Sequence, residues 1–137
     1  MISLAKPTRG TALLEHRQRR AELVQHERRE MQAAKKRDGN KCRVPYCEFA
    51  SMKLPIDVAH MRHRGMGGNP KGDRTERRLL VTLCRRHHGL YDGAELEIEP
   101  MTAALMDGPL LFAQLSESGH METFAVERSI GVSETRT

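Results

Sequence analysis

Residues 11–37, "TALLEHRQRRAELVQHERREMQAAKKR", contain neither glycine nor proline and are rich in strong helix formers, which predicts one long helix. Its apolar positions, Leu13, Leu14, Leu23, Val24 and Met31, make no continuous stripe at helical spacing. Such a helix does not belong in a core. It is solvated and docked only in part, and its charges also suit a basic arm laid along a phosphate backbone. Asp38-Gly39 marks a turn after it. The β-branched and apolar "LPIDVAHM" (54–61) predicts a short strand, and "RRLLVTLC" (77–84) a second. Between them, "RHRGMGGNPKGDR" is a basic, glycine-rich loop with no packing pattern. "RRHHGLYD" (85–92) predicts a short helix that Gly93 is placed to end. Beyond it, "LEIEP", "LLFAQL" and "ETFAVER" read as strands, with turn residues at "MDGP" and "SESG". A small acidic β-hairpin or meander is expected there, with a frayed end at "GVSETRT".

The supply of core material is thin. The 137 residues include no tryptophan, three phenylalanines and two tyrosines, so something besides apolar burial should help to hold the single domain together. Charge is divided along the chain. Through Gly93 there are 21 Lys+Arg against 10 Asp+Glu, and from Ala94 onward 2 against 8. A basic two-thirds joined to an acidic segment points to a negatively charged partner, of which nucleic acid is the usual one. There is no apolar run of signal-peptide or membrane-spanning length. A soluble, cytoplasmic protein is expected, with no membrane partner.

Three cysteines, an odd number without an export signal, argue for metal or free thiols over a disulfide framework. Cys42 and Cys47 form one close pair, Cys84 and His87 another. Two short-spaced pairs of soft ligands on separate turns are the pattern of a structural tetrahedral zinc site. Zinc binding supplies about 10–16 kcal/mol in small zinc peptides, which would compensate for so lean a core. His88 follows His87 directly. Neighbours on a helix point about 100° apart, so the two imidazoles do not readily share an ion. Asp92 lies one turn beyond His88 on the same face, and His60 ends the first strand. A strand histidine with a helical histidine and carboxylate could surround a hard divalent ion and a water molecule.

The order of these parts, "RDGNKCRVPYC", "IDVAHMRHRGMGG" and "LLVTLCRRHHGLYD", resembles the HNH endonucleases, and small phage and bacterial members above all. The resemblance covers roughly Arg37 to Asp92. It implies an α+β fold. Residues 1–37 would be a basic helical arm, 38–93 a ββα-metal nuclease core stapled by zinc, and 94–137 an acidic β segment, all in one compact domain. It implies hydrolysis of DNA phosphodiesters with a catalytic Mg2+ or Mn2+. By the same resemblance His60 matches the general base and His88 a ligand of the catalytic ion. Asp92 or Asp57 would supply a carboxylate, and Arg62, Arg64, Arg85 and Arg86 would grip phosphates. Phage packaging or recombination proteins are further partners of such nucleases. The chain departs from the family pattern at Ala59, where many members carry Asp or His. It departs again at Leu79, where an asparagine is usual; Asn69 lies upstream, out of register. Those two positions favour the competing reading, a zinc-stapled DNA-binding module without catalysis. His63, on the basic loop, suits phosphate contact or solvent better than metal ligation.

Overall fold

A computed structural model of the chain describes residues 8–61, 75–130 and 132–135. The loop positions Arg62, His63, Arg64 and Asn69 lie outside the described residues.

Helix α1 runs Arg9–Arg37, and the Thr8 side chain caps it by accepting from the Thr11 N–H at 3.2 Å. As expected from its scattered apolar positions, it is solvated along most of its length. Ala34 is its one buried residue. The helix stops where Gly39 and Asn40 adopt left-handed backbone, with Asn40 N–H bonded back to the Lys35 carbonyl at 2.7 Å.

Strands β1 (Ile56–His60) and β2 (Leu80–Cys84) form an antiparallel pair, and α2 (Arg85–Asp92) follows β2 without a linker. The second strand is shorter than the apolar run suggested. Arg77–Leu79 is a 3₁₀ turn, closed by the Leu79 N–H to Glu76 carbonyl bond at 2.8 Å. Gly93 ends α2, its N–H reaching the Gly89 carbonyl at 3.0 Å.

The acidic segment is a four-stranded antiparallel meander of β3 (Leu96–Pro100), β4 (Leu110–Leu115), β5 (Met121–Ser129) and β6 (Val132–Thr135), in that order. Within the segment expected to fray, Val132–Thr135 form β6 and pair with β5, Val126 opposite Glu134, which satisfies their backbone groups, while residues 131, 136 and 137 lie outside the described residues. One apolar cluster joins both halves of the fold. Ala59, Val81, Leu83 and Tyr91 from the ββα unit pack with Leu96, Ile98, Leu110, Phe112 and Ala125 from the meander.

A buried ionic cluster crosses the same seam. Asp38, at the end of α1, accepts from both Arg37 Nε and Nη2 at 2.8 Å and from the Thr82 N–H at 3.0 Å. Arg43 donates to Glu127 at 2.9 Å, to the Gly108 carbonyl at 2.6 Å and to the Met106 carbonyl. Arg37 also reaches Asp107 at 3.0 Å and the Leu80 carbonyl at 2.6 Å. Gly108 has no room for a side chain, since a Cβ there would stand 2.5 Å from Thr102 Oγ1.

Candidate metal centre and the histidine beside it

The turn after α1 carries Cys42 and Cys47, and the junction of β2 with α2 carries Cys84 and His87. Cys84 is the N-cap of α2: its sulfur accepts the His87 N–H at 3.4 Å, which fixes the relation of these two residues. Across the junction, Arg43 N–H bonds to the Thr82 carbonyl at 2.9 Å and holds the cysteine turn against β2.

His87 Nδ1 lies 3.3 Å from Cys42 Sγ, 3.5 Å from Cys47 Sγ and 3.3 Å from Cys84 Sγ. Cys47 and Cys84 sulfurs are 3.9 Å apart. Tetrahedral zinc, with Zn–S about 2.3 Å and Zn–N about 2.0–2.1 Å, requires about 3.8 Å between sulfurs and about 3.5 Å from sulfur to nitrogen. The four residues therefore fit a zinc ion, and the sulfur separation excludes a disulfide. Among the described residues, this is the only group of three or more His, Cys, Asp or Glu ligand atoms that converges, all within 4.8 Å of one another.

The electrostatics suit a cation. Burial pushes the Cys42 thiol up to about 12, and burial likewise raises Cys47, so these two thiols stay protonated without a positive charge beside them. Burial lowers the His87 pKa, which keeps the imidazole neutral and able to coordinate, while Glu48 acts in the opposite sense. Glu48 Oε1 stands 3.6 Å from His87 Nε2, the outer position from which a carboxylate orients a ligating imidazole. The Phe49 ring packs 5.0 Å from the His87 ring, and the exposed Arg86 lies over Phe49.

One residue further on, His88 turns to β1. Its Nδ1 is 3.1 Å from Asp57 Oδ2 and its Nε2 is 3.3 Å from Asp92 Oδ2. The two candidate carboxylates thus meet opposite nitrogens of the ring and do not converge on one point. Arg85 Nη2 lies 3.4 Å from Asp57. Partial burial would raise the Asp57 pKa, but hydrogen bonds from His88 and Arg85 outweigh it and hold the carboxyl below its ordinary range. Strand alternation puts His60 on the opposite face of β1 from Asp57, as the sequence implied, and His60 is exposed. The His60 side chain makes no hydrogen bond or ion pair among the described residues. Ala59, beside it, is buried in the core.

Sequence reasoning missed Glu48 and the whole Arg37–Asp38–Arg43–Asp107–Glu127 cluster. One signal was available: Thr123, Ala125 and Glu127 share a face of β5, so a charge stood at an inward position. Nothing in the local pattern names its partner.

No family model, curated protein or solved structure matches this chain.

Proposed function

We propose that the protein is a metal-dependent DNA endonuclease of the HNH type, with His60 as general base. The observation that carries this reading is the placement of His88. Zinc-type ligands hold one end of the β1–β2–α2 unit, and the next residue faces Asp57 across the hairpin at 3.1 Å. Adjacent ligands of an octahedral ion with bonds of about 2.1 Å lie about 3.0 Å apart, so His88 and Asp57 would hold Mg2+ or Mn2+, with waters completing the shell. Asp92 would serve from the second nitrogen's side, as an orienting carboxylate.

When bound, that ion supplies Lewis acidity to the scissile phosphate. The chain's own residues do the rest. His60 is solvent-accessible at the end of β1 and its side chain has no competing partner among the described residues, so it can take a proton from the attacking water. Arg85 and Arg86, both exposed on the first turn of α2, would meet phosphate oxygens together with Arg62 and Arg64 of the basic loop.

Plasmid nicking or cutting with Mg2+ or Mn2+, lost on chelation and lost in His60→Ala with zinc content retained, is the expected result. A His60→Ala protein that cuts as fast as the parent removes the base assignment. The second reading, a DNA-binding module without turnover, has its own support: Ala59 offers no ligand next to His60, and His88 shares its nitrogens between two separate carboxylates. It predicts one zinc per chain, salt-sensitive DNA binding, and no cleavage with any divalent ion.

A further inference from the structure

Helix α1 is exposed from Thr8 to His26, and at about 1.5 Å per residue its 29 residues span about 43 Å. An unpacked helix of mixed charge is ordinarily laced by acid–base pairs three or four residues apart. Arg19 follows that rule, with Glu15 four residues before it and Glu22 three after. Arg29 and Lys36, on another side of the helix, lack such a partner, and so do the four residues Arg9, Arg17, Arg20 and Arg28: no Asp or Glu stands three or four residues from any of them. All four are exposed, and none has an ion-pair partner among the described residues.

These four share a face. At about 100° per residue they fall within an arc of about 100°, on which Glu27, in line with Arg9, is the one acid, while Glu15 and Glu22 lie on the far side. The pattern repeats: Arg9, Leu13 and Arg17 recur as Arg20, Val24 and Arg28, each 11 residues on. Eleven residues complete almost a whole number of turns, which keeps the repeat on one line of a straight helix. Leu13 and Val24 are 55% and 42% exposed, so this line is not a core face turned inward.

We infer that this face of α1 is a docking surface for the phosphate backbone of duplex DNA. Charge complementarity selects that partner. Pairing with a second copy is disfavoured in the register that brings Leu13 to Val24 in antiparallel fashion, because it sets Arg17 opposite Arg20 and Arg9 opposite Arg28. Parallel pairing sets each arginine against itself. A polyanion instead satisfies all four guanidiniums, and Leu13 and Val24 between them meet the apolar edges of the sugars. The inference rests on the nucleic-acid partner of the proposed function, not on cleavage.

The test is binding of the full zinc-loaded chain to a mixed-sequence DNA duplex, by fluorescence anisotropy over a range of salt, with no Mg2+ or Mn2+ added. Two variants remove the same charge: Arg17→Gln/Arg20→Gln/Arg28→Gln from the stripe, and Arg19→Gln/Arg29→Gln/Lys36→Gln from the other sides of α1. Circular dichroism checks that both keep the helix. Each phosphate contact contributes about 0.9 to the slope of log K against log salt, so the stripe variant should lose about 2–3 units of slope, and the second variant less than 1. Equal losses in both variants would reduce the effect to net charge and overturn the assigned face. An unchanged slope in the stripe variant, or self-association of the parent in place of DNA binding, would overturn the docking surface. A stripe-dependent binder that never cleaves DNA refutes the nuclease and leaves this surface standing; a nuclease whose slope ignores the stripe does the reverse.

Discussion

Arg43, next to the zinc-type ligand Cys42, forms an ion pair with Glu127 at 2.9 Å across 84 positions of chain, and both side chains are 2% exposed. The pair ties the metal turn to the acidic meander. Removing one partner breaks a buried, hydrogen-bonded charge pair, which costs about 3–5 kcal/mol, although Asp38 stays 3.4 Å from Arg43. Glu127→Ala and Arg43→Ala should each lower the denaturant midpoint by that equivalent, and the double variant should cost clearly less than the two added together. An additive double variant would show that the two charges are not coupled.

Metal should be part of the fold. Elemental analysis is expected to find one zinc per chain, and Cys84→Ser or chelation should unfold the ββα unit and loosen the meander attached through Arg43. Because burial holds Cys42 as a neutral thiol without metal, each thiolate bond formed releases a proton. Zinc affinity, measured by competition with a chromophoric chelator, should therefore rise steeply with pH between about 6 and 8, by more than one log unit per pH unit. A flat profile would contradict thiolate ligation.

Acid should loosen the seam through Asp107. Partial burial alone would raise its pKa, but hydrogen bonds from Arg77 and Arg37 dominate and place the carboxyl below its ordinary value of 3.8. A depressed folded pKa contributes stability that is complete above the ordinary value and lost as pH falls through the folded one. Asp107→Asn should remove that part of the acid dependence, so parent and variant unfolding curves should converge below about pH 4. Curves that stay parallel into acid would assign the contribution elsewhere.

The two carboxylates beside His88 should prove unequal. Asp57 is 24% exposed and held by Arg85, whereas Asp92 is 66% exposed at the end of α2. Asp57→Asn should lower Mn2+-supported cleavage by on the order of 100-fold, and Asp92→Asn by about tenfold or less. The opposite ranking would move the ion to the Nε2 side of the ring.

The sequence by itself determined the elements that rest on local rules. The long helix needed only helix formers without glycine or proline, and its end needed Gly39. The Cys42, Cys47, Cys84 and His87 set was legible because two short-range pairs must each close on a turn, and the meeting of the pairs was their one common use. The directions of His87 and His88 followed from helical rotation. What the tertiary structure decided lay in long-range partners. Arg43 and Glu127, Arg37 and Asp107, and Asp57 and His88 meet only once hairpin, helix and meander are packed, and no periodicity encodes a contact between distant segments. The same holds for β6, which read as a polar, frayed end until β5 offered it an unpaired edge. Backbone hydrogen bonding and charge burial act between whichever segments the core brings together, and their outcome is visible only in the assembled fold.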